Sequence, residues 1–120
     1  MKKISCLVVL AALSSTAWAD CTYPRAPGKI PDGNTATREE MVAAKKVVDK
    51  YNADMTAYLT CLQAEHDATI AKPEASLTEE QKQQLSARMV QKNDAAMDEL
   101  QDVAGRFNEQ LRAFKAKTAK

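Results

Sequence analysis

Two cysteines, Cys21 and Cys61, are the residues of this chain with the clearest covalent chemistry. A third cysteine, Cys6, lies in an N-terminal segment that we expect to be removed. No pair has the C-x-x-C spacing, so the sequence gives no support for a thioredoxin-like redox site. In an oxidising compartment an even pair favours an intramolecular disulfide, and we predict one between Cys21 and Cys61. An intermolecular bridge and a reactive thiol are the alternatives.

The sequence Glu65-His66-Asp67 is the one cluster with metal-binding or acid–base character, and His66 is the single histidine. Adjacent helical residues point in different directions, so these three side chains cannot converge on one ion. No serine, histidine and acid follow a recognisable catalytic spacing, and there is no glycine-rich phosphate loop. We therefore predict that the protein is not an enzyme and has no catalytic, cofactor or metal residues. A small-ligand or metal binder that uses His66 is an alternative.

Tyrosines and methionines could form a binding face or fill a core. Tyr51 and Tyr58 are seven residues apart, which places them on one helical face. Their spacing favours packing, with the hydroxyls at the edge of the core. Four methionines could form an adaptable interaction surface, although gap-filling in a thin core is the favoured interpretation. These are Met41, Met55, Met89 and Met97.

Residues 1–19 are typical of a secretory signal peptide. Lys2 and Lys3 precede an apolar run at 4–13, which is too short to stay in a membrane. Residues 17–19, Ala-Trp-Ala, match the small-x-small cleavage pattern, so we predict cleavage after Ala19. Asp20 disfavours lipidation of Cys21, since a lipobox has a small residue there. The short basic start is typical of bacteria, so we expect secretion to the periplasm.

Removal of this segment alters the charge of the chain. Without Lys2 and Lys3, 15 basic residues face 16 acidic ones, which gives a net charge of −1. This balance does not favour nucleic-acid binding, which usually needs a basic face. No later segment approaches the ~20 apolar residues that span a bilayer, so we expect no stable membrane insertion.

Two long helices are predicted after residue 36. The first covers about 37–72: Thr37 and Glu40 fit a capping box, and Pro73 ends the helix. Its apolar residues recur at alternating steps of three and four, which indicates a seam facing a second helix. The seam consists of Met41, Ala44, Val48, Tyr51, Met55, Tyr58 and Leu62.

The second helix covers about 77–117, and two capping boxes compete for its start, Ser76 with Glu79 and Thr78 with Gln81. Its seam is Leu85, Met89, Ala96, Leu100, Val103, Phe107 and Phe114, widened by Val90, Met97 and Leu111. The short connection at 72–76 makes the helices antiparallel neighbours. The predicted fold is all-α, a coiled-coil-like hairpin.

Residues 20–36 form a Pro- and Gly-rich segment, which we call the strap. Cys61 lies ~36 Å along the first helix from Thr37. A turn at 31–34 would leave ten residues, which reach ~31 Å in polyproline II geometry. A disulfide thus requires a nearly extended strap, antiparallel to the first helix. We expect it to follow a strip of mostly small residues: Ala43, Val47, Asp54, Ala57, Cys61, Ala64 and Ala68.

Two resemblances bear on function. The arrangement "C…P…P…IPDG…AT…EM" followed by "Y…YLTCL", over about 20–66, resembles small secreted proteins of Gram-negative bacteria for which no function is established. Separately, "LTEEQKQQL" at 77–85 is similar to the LTxxQ motif of periplasmic chaperones and envelope-stress regulators. That family is all-helical, ATP-independent and commonly dimeric, but it usually carries two such motifs, and Leu77, Thr78 and Gln81 supply one.

These observations predict a non-enzymatic periplasmic protein that acts as a protein–protein interaction or structural module. Protein partners are expected, and a homodimer would bury remaining apolar surface. An ATP-independent chaperone or stress regulator of the LTxxQ kind is the alternative that the second resemblance implies.

Overall fold

The computed structural model describes residues 21–71 and 77–119, and within these ranges it contains two helices and no strand. Helix α1 is Arg38–Ala71 and helix α2 is Glu79–Thr118. The two pack against each other as a hairpin, which confirms the predicted fold class. Their bounds lie within two residues of the predicted ones. The predicted signal peptide, Asp20 and the connection at 72–76 lie outside the described residues.

Capping boxes begin both helices. The Glu40 amide donates to the Thr37 hydroxyl at 3.2 Å, and the Thr37 amide donates to the Glu40 carboxylate at 2.7 Å. Helix α2 begins with the same reciprocal pair between Thr78 and Gln81. Each box satisfies two backbone N–H groups at the helix start. Of the two competing predictions for α2, Thr78 is therefore the N-cap.

The core lies along the seam between the two helices. From α1 it takes Met41, Val48, Tyr51, Met55, Tyr58 and Leu62, and from α2 it takes Ala96, Val103 and Phe107. The predicted widening by Val90 and Met97 is wrong, because these side chains are 57% and 42% exposed. At 100° per residue they point more than ~110° away from Val103, the centre of the seam, and so face outward.

The strap runs antiparallel to α1 and is joined to it covalently. Cys21 and Cys61 form a disulfide with a Cα–Cα distance of 5.6 Å. Tyr23 packs edge-on against Tyr58 with ring centroids 5.0 Å apart. The turn begins one residue later than predicted, since the Asp32 carbonyl accepts from the amides of Thr35 and Ala36.

The strap also makes hydrogen bonds with α2. The Tyr23 hydroxyl donates to Glu99, the Gly33 amide donates to the Gln110 side chain at 2.9 Å, and Lys117 donates to the Ala36 carbonyl at 2.7 Å. The strap therefore covers one side of the groove between the helices. It does not cover the predicted strip of small residues, and five members of that strip stay exposed: Ala43, Val47, Asp54, Ala57 and Ala64.

Gly33 marks the closest approach of the strap to α2. A Cβ atom at this position would lie 1.9 Å from the Gln110 carbonyl oxygen and 2.8 Å from the Phe114 nitrogen. Both are backbone atoms of a helix and cannot move aside. Only glycine lets the turn rest on α2 at this distance.

Candidate functional site

The predicted cysteine pair is part of the architecture. Both sulfurs are used in the disulfide, so neither offers a thiol for catalysis or metal binding. The Glu65 carboxylate lies 3.3 Å from the Cys21 sulfur. A negative charge there disfavours formation of a thiolate on Cys21, which is the species that reduction of the bond must release.

His66 lies between the two helices, near the end of the hairpin that carries the connection. Its Nε2 is 3.4 Å from the Ser86 hydroxyl, and its Nδ1 is 3.5 Å from the Asp67 carboxylate. A small cavity of about 170 Å³ beside it is lined by Leu62, Glu65, Thr69, Leu85, Arg88, Met89 and Lys92. No group of three His, Cys, Asp or Glu side chains in 21–71 and 77–119 could hold a metal ion. The metal alternative thus gains no support from the geometry.

A cluster around Glu99 anchors the strap to the core. The Glu99 carboxylate accepts from the half-exposed Tyr23, while the buried Tyr51 hydroxyl has no hydrogen-bond partner among the described residues. Burial raises the pKa of Tyr51 to about 12, and the negative charge of Glu99 adds to the shift. Burial and Glu99 also raise the pKa of Tyr23. Both phenols therefore stay neutral and serve packing rather than proton transfer.

An open cleft with a volume of about 540 Å³ lies between the strap and α1. Its walls are mostly apolar, and we call it the strap cleft. Volumes of this size are typical of ligand-binding sites. Its apolar lining residues are Pro27, Ile30, Pro31, Ala36, Ala43, Ala44, Val47 and Val48.

Most polar groups around the strap cleft already serve the fold. The Glu40 carboxylate caps α1, and the Asp32 carboxylate accepts from the Asn34 amide at 2.9 Å. The Thr35 hydroxyl donates to the Asp32 carbonyl. Lys29 stands at the edge of the cleft and has no hydrogen-bond or ion-pair partner within 21–71 and 77–119. The cleft therefore offers apolar surface with few free hydrogen-bonding groups, which suits apolar side chains better than a polar small molecule.

Val47 supplies an exposed wall of the strap cleft. It is 52% exposed, and Val42 on the same helix is 49% exposed but does not line the cleft. The two valines thus have the same chemistry and similar exposure and differ in whether they border a cavity. A clustered apolar surface is a stronger sign of an interaction site than a single exposed valine.

Comparison of the chain with protein-family models, with curated proteins and with solved structures found no significant match. Neither α1 nor α2 contains an apolar stretch long enough to cross a membrane.

The strap cleft could not be identified from the sequence. Its walls come from the Pro-rich strap and one side of α1, and the strap was expected to lie flat on the strip that includes Ala43 and Val47. Because the Gly33 turn rests on α2, the strap is drawn over the groove and leaves Val47 uncovered. The signal that could have indicated this is Gly33, which follows Pro31-Asp32 and permits close approach of two backbones.

Proposed function

We propose that this protein is a non-enzymatic interaction module of the bacterial periplasm, in which a disulfide-strapped helical hairpin binds an apolar segment of a partner protein in the strap cleft. The strap cleft carries the proposal. It is about 540 Å³ in volume, is open to solvent and is lined mainly by apolar side chains. A partner segment that buries two or three apolar side chains there would gain the ~25 cal/mol per Å² that apolar burial provides.

The disulfide and the N-terminal segment support the proposed compartment. A staple between Cys21 and Cys61 persists in an oxidising environment and is rare in the cytosol. The predicted cleavage after Ala19 would place the new N-terminus one residue before Cys21. Fractionation of cells followed by non-reducing mass spectrometry tests this part: we expect a periplasmic protein that starts at Asp20 and contains one internal bond. A cytosolic, full-length and reduced protein would contradict it.

The two valines on α1 give a matched test of the binding surface. A photo-crosslinking amino acid is introduced at Val47 or, as the control, at Val42, and adducts formed in living cells are identified by mass spectrometry. We expect a discrete partner adduct from position 47 that is absent from position 42. Val47→Glu should remove the partner from a pull-down, while Val42→Glu should retain it. Equal crosslinking from both positions, or none from 47, would refute the cleft as the binding surface.

The chaperone alternative has less support. The Thr78 and Gln81 side chains of the LTxxQ-like sequence bond to each other's backbone amides at the start of α2. This structural use accounts for their presence without chaperone activity. Suppression of the aggregation of an unfolded client by the purified protein, unaffected by Val47→Glu, would favour a general chaperone over a specific module.

A further inference from the structure

One side of the hairpin lacks charged residues over much of its length. We call it the charge-free face: the side opposite the strap, formed by residues 52–63 of α1 and 86–111 of α2. These two stretches contain nine charged residues, of which eight are in 86–111. Projection at 100° per residue places all nine on the strap side or on the outer back of the helices. This part of the surface is therefore free of charge, and the Lys45–Asp49 ion pair borders it where α1 continues toward its start.

The contacts of the strap show which side of each helix faces the strap and which faces away from it. Tyr58 on α1 and both Glu99 and Gln110 on α2 contact the strap. In a projection at 100° per residue, all three lie ~20–60° before the direction in which the seam of their helix points, counted in the sense in which the chain advances. Residues that follow the seam by ~60–140° lie on the opposite side in both helices, because the helices are antiparallel. They include Asn52, Thr56 and Gln63 on α1 and Val90, Met97 and Leu111 on α2.

The charge-free face could be buried at low cost. Val90 and Met97 are exposed, and Leu100 and Leu111 are partly buried against the core. The Thr56 hydroxyl donates to the Asn52 carbonyl at 2.9 Å, so covering it would not leave that donor unpaired. Depletion of charge together with exposed Met is the compositional mark of the centre of a protein interface.

A second copy of the chain fits this surface better than a partner of another kind. A two-fold interface places a patch against itself, so any net charge on the patch would meet a like charge. A patch without charge avoids that repulsion. Two hairpins joined in this way would give a four-helix bundle. The two stretches together contain ~57 Å of helix, and each helix is ~10 Å wide. Contact along their whole length would bury about 1,100 Å² over both copies, which exceeds the ~1,000 Å² expected of a specific interface.

We propose that the protein forms a two-fold symmetric dimer through the charge-free face, with Val90 and Met97 at the interface and both straps on the outside. This arrangement leaves the strap cleft of each copy open. The dimer does not rest on the proposed binding function, because the two surfaces lie on opposite sides of the hairpin.

Sedimentation velocity of the purified, disulfide-bonded protein from about 1 to about 200 µM tests the dimer, since interfaces of this size commonly associate in the micromolar range. We expect a monomer–dimer equilibrium. Met97→Glu should raise the dissociation constant of the dimer at least ~10-fold, because it places two like charges in one interface. Met97→Leu should leave it within ~3-fold.

Val47→Glu is the matched control: it adds the same charge to an exposed apolar site on the strap side. The Val47→Glu variant should no longer bind the proposed partner but should still dimerise. The Met97→Glu variant should be monomeric but should still bind the partner. Val90→Glu provides a second face variant, and circular dichroism checks that the variants stay helical. A chain that is monomeric at 200 µM, or face variants that dimerise as tightly as Val47→Glu, would overturn the proposal. Crosslinking from position 97 to a different protein alone would also overturn it.

Discussion

Removal of the disulfide should lower the stability of the fold more than any other change that leaves the non-covalent contacts in place. Cys21 and Cys61 are 40 positions apart. Closing a loop of this length lowers the entropy of the unfolded chain and stabilises the fold by ~4 kcal/mol at 25 °C. The double variant Cys21→Ser, Cys61→Ser should lose most of this. For a domain of roughly 100 residues the loss corresponds to a fall in Tm of about 15–30 °C.

Urea unfolding followed by far-UV circular dichroism measures the effect. The unreduced wild-type protein is compared with the double variant, and the wild-type protein with reductant serves as the control. Reduced wild type and the variant should unfold at the same urea concentration. Tyr23→Phe is a matched comparison, since it removes the bond to Glu99 but keeps the disulfide; we expect it to cost about 1 kcal/mol.

A loss below about 1 kcal/mol in the double variant would refute the reasoning, because the strap would then add no constraint to the unfolded chain. Limited digestion with trypsin distinguishes the reason. Arg25 and Lys29 are exposed in the strap, and they should be cut faster once the strap is released at Cys21. Unchanged protection would mean that the contacts of Gly33 and Ala36 with α2 hold the strap without the bond.

Two further predictions concern buried groups and glycines. The pKa of Tyr51 is raised to about 12 in the folded protein and is about 10 in the unfolded chain, so the stabilisation that comes from keeping the phenol neutral is complete below pH 10 and is lost between pH 10 and 12. Over this range the free energy of unfolding of Tyr51→Phe should fall less steeply with pH than that of the wild-type protein. Equal slopes would contradict the assignment. Gly33→Ala should destabilise the fold by ~1–3 kcal/mol, because its Cβ would meet the α2 backbone. Gly105 lies inside a helix with open space around it, so Gly105→Ala should stabilise the fold by up to ~1 kcal/mol. Urea unfolding measures both changes, and a stabilising Gly33→Ala would show that the turn does not rest on α2.

Much of the fold could be predicted because it depends on local signals. Capping boxes at Thr37 and Thr78 and the seam spacing of α1 are determined by residues a few positions apart, and the structure confirms them. The disulfide could be predicted from the number of cysteines and the reach of the strap. Periodicity located the seam of α2 but overestimated its width at Val90 and Met97, since hydrophobicity alone does not show how far the partner helix extends around the seam.

The strap's path and the candidate sites depended on long-range contacts. Lys117 bonds to the Ala36 carbonyl across 81 positions, and Gly33 bonds to Gln110 across 77. No local pattern encodes such pairs, so the strap was predicted to lie on α1 alone. The strap cleft exists because of these contacts with α2 and was therefore missed. The charge-free face could have been found, because it needs only a helical projection of the charged residues.

The clamp formed by the Gly33 turn and Lys117 changes where this hairpin should open. Helix termini normally exchange their amide hydrogens first, because they fray. Here the start of α1 and the end of α2 are tied together through Ala36, and the strap adds a third layer as far as Cys61. Beyond Cys61, among the residues that the structure describes, each helix packs only against the other, and Leu85 and Met89 are only partly buried. Amide exchange should therefore be slowest in the half of the hairpin that contains the start of α1 and the end of α2, and fastest toward the connection.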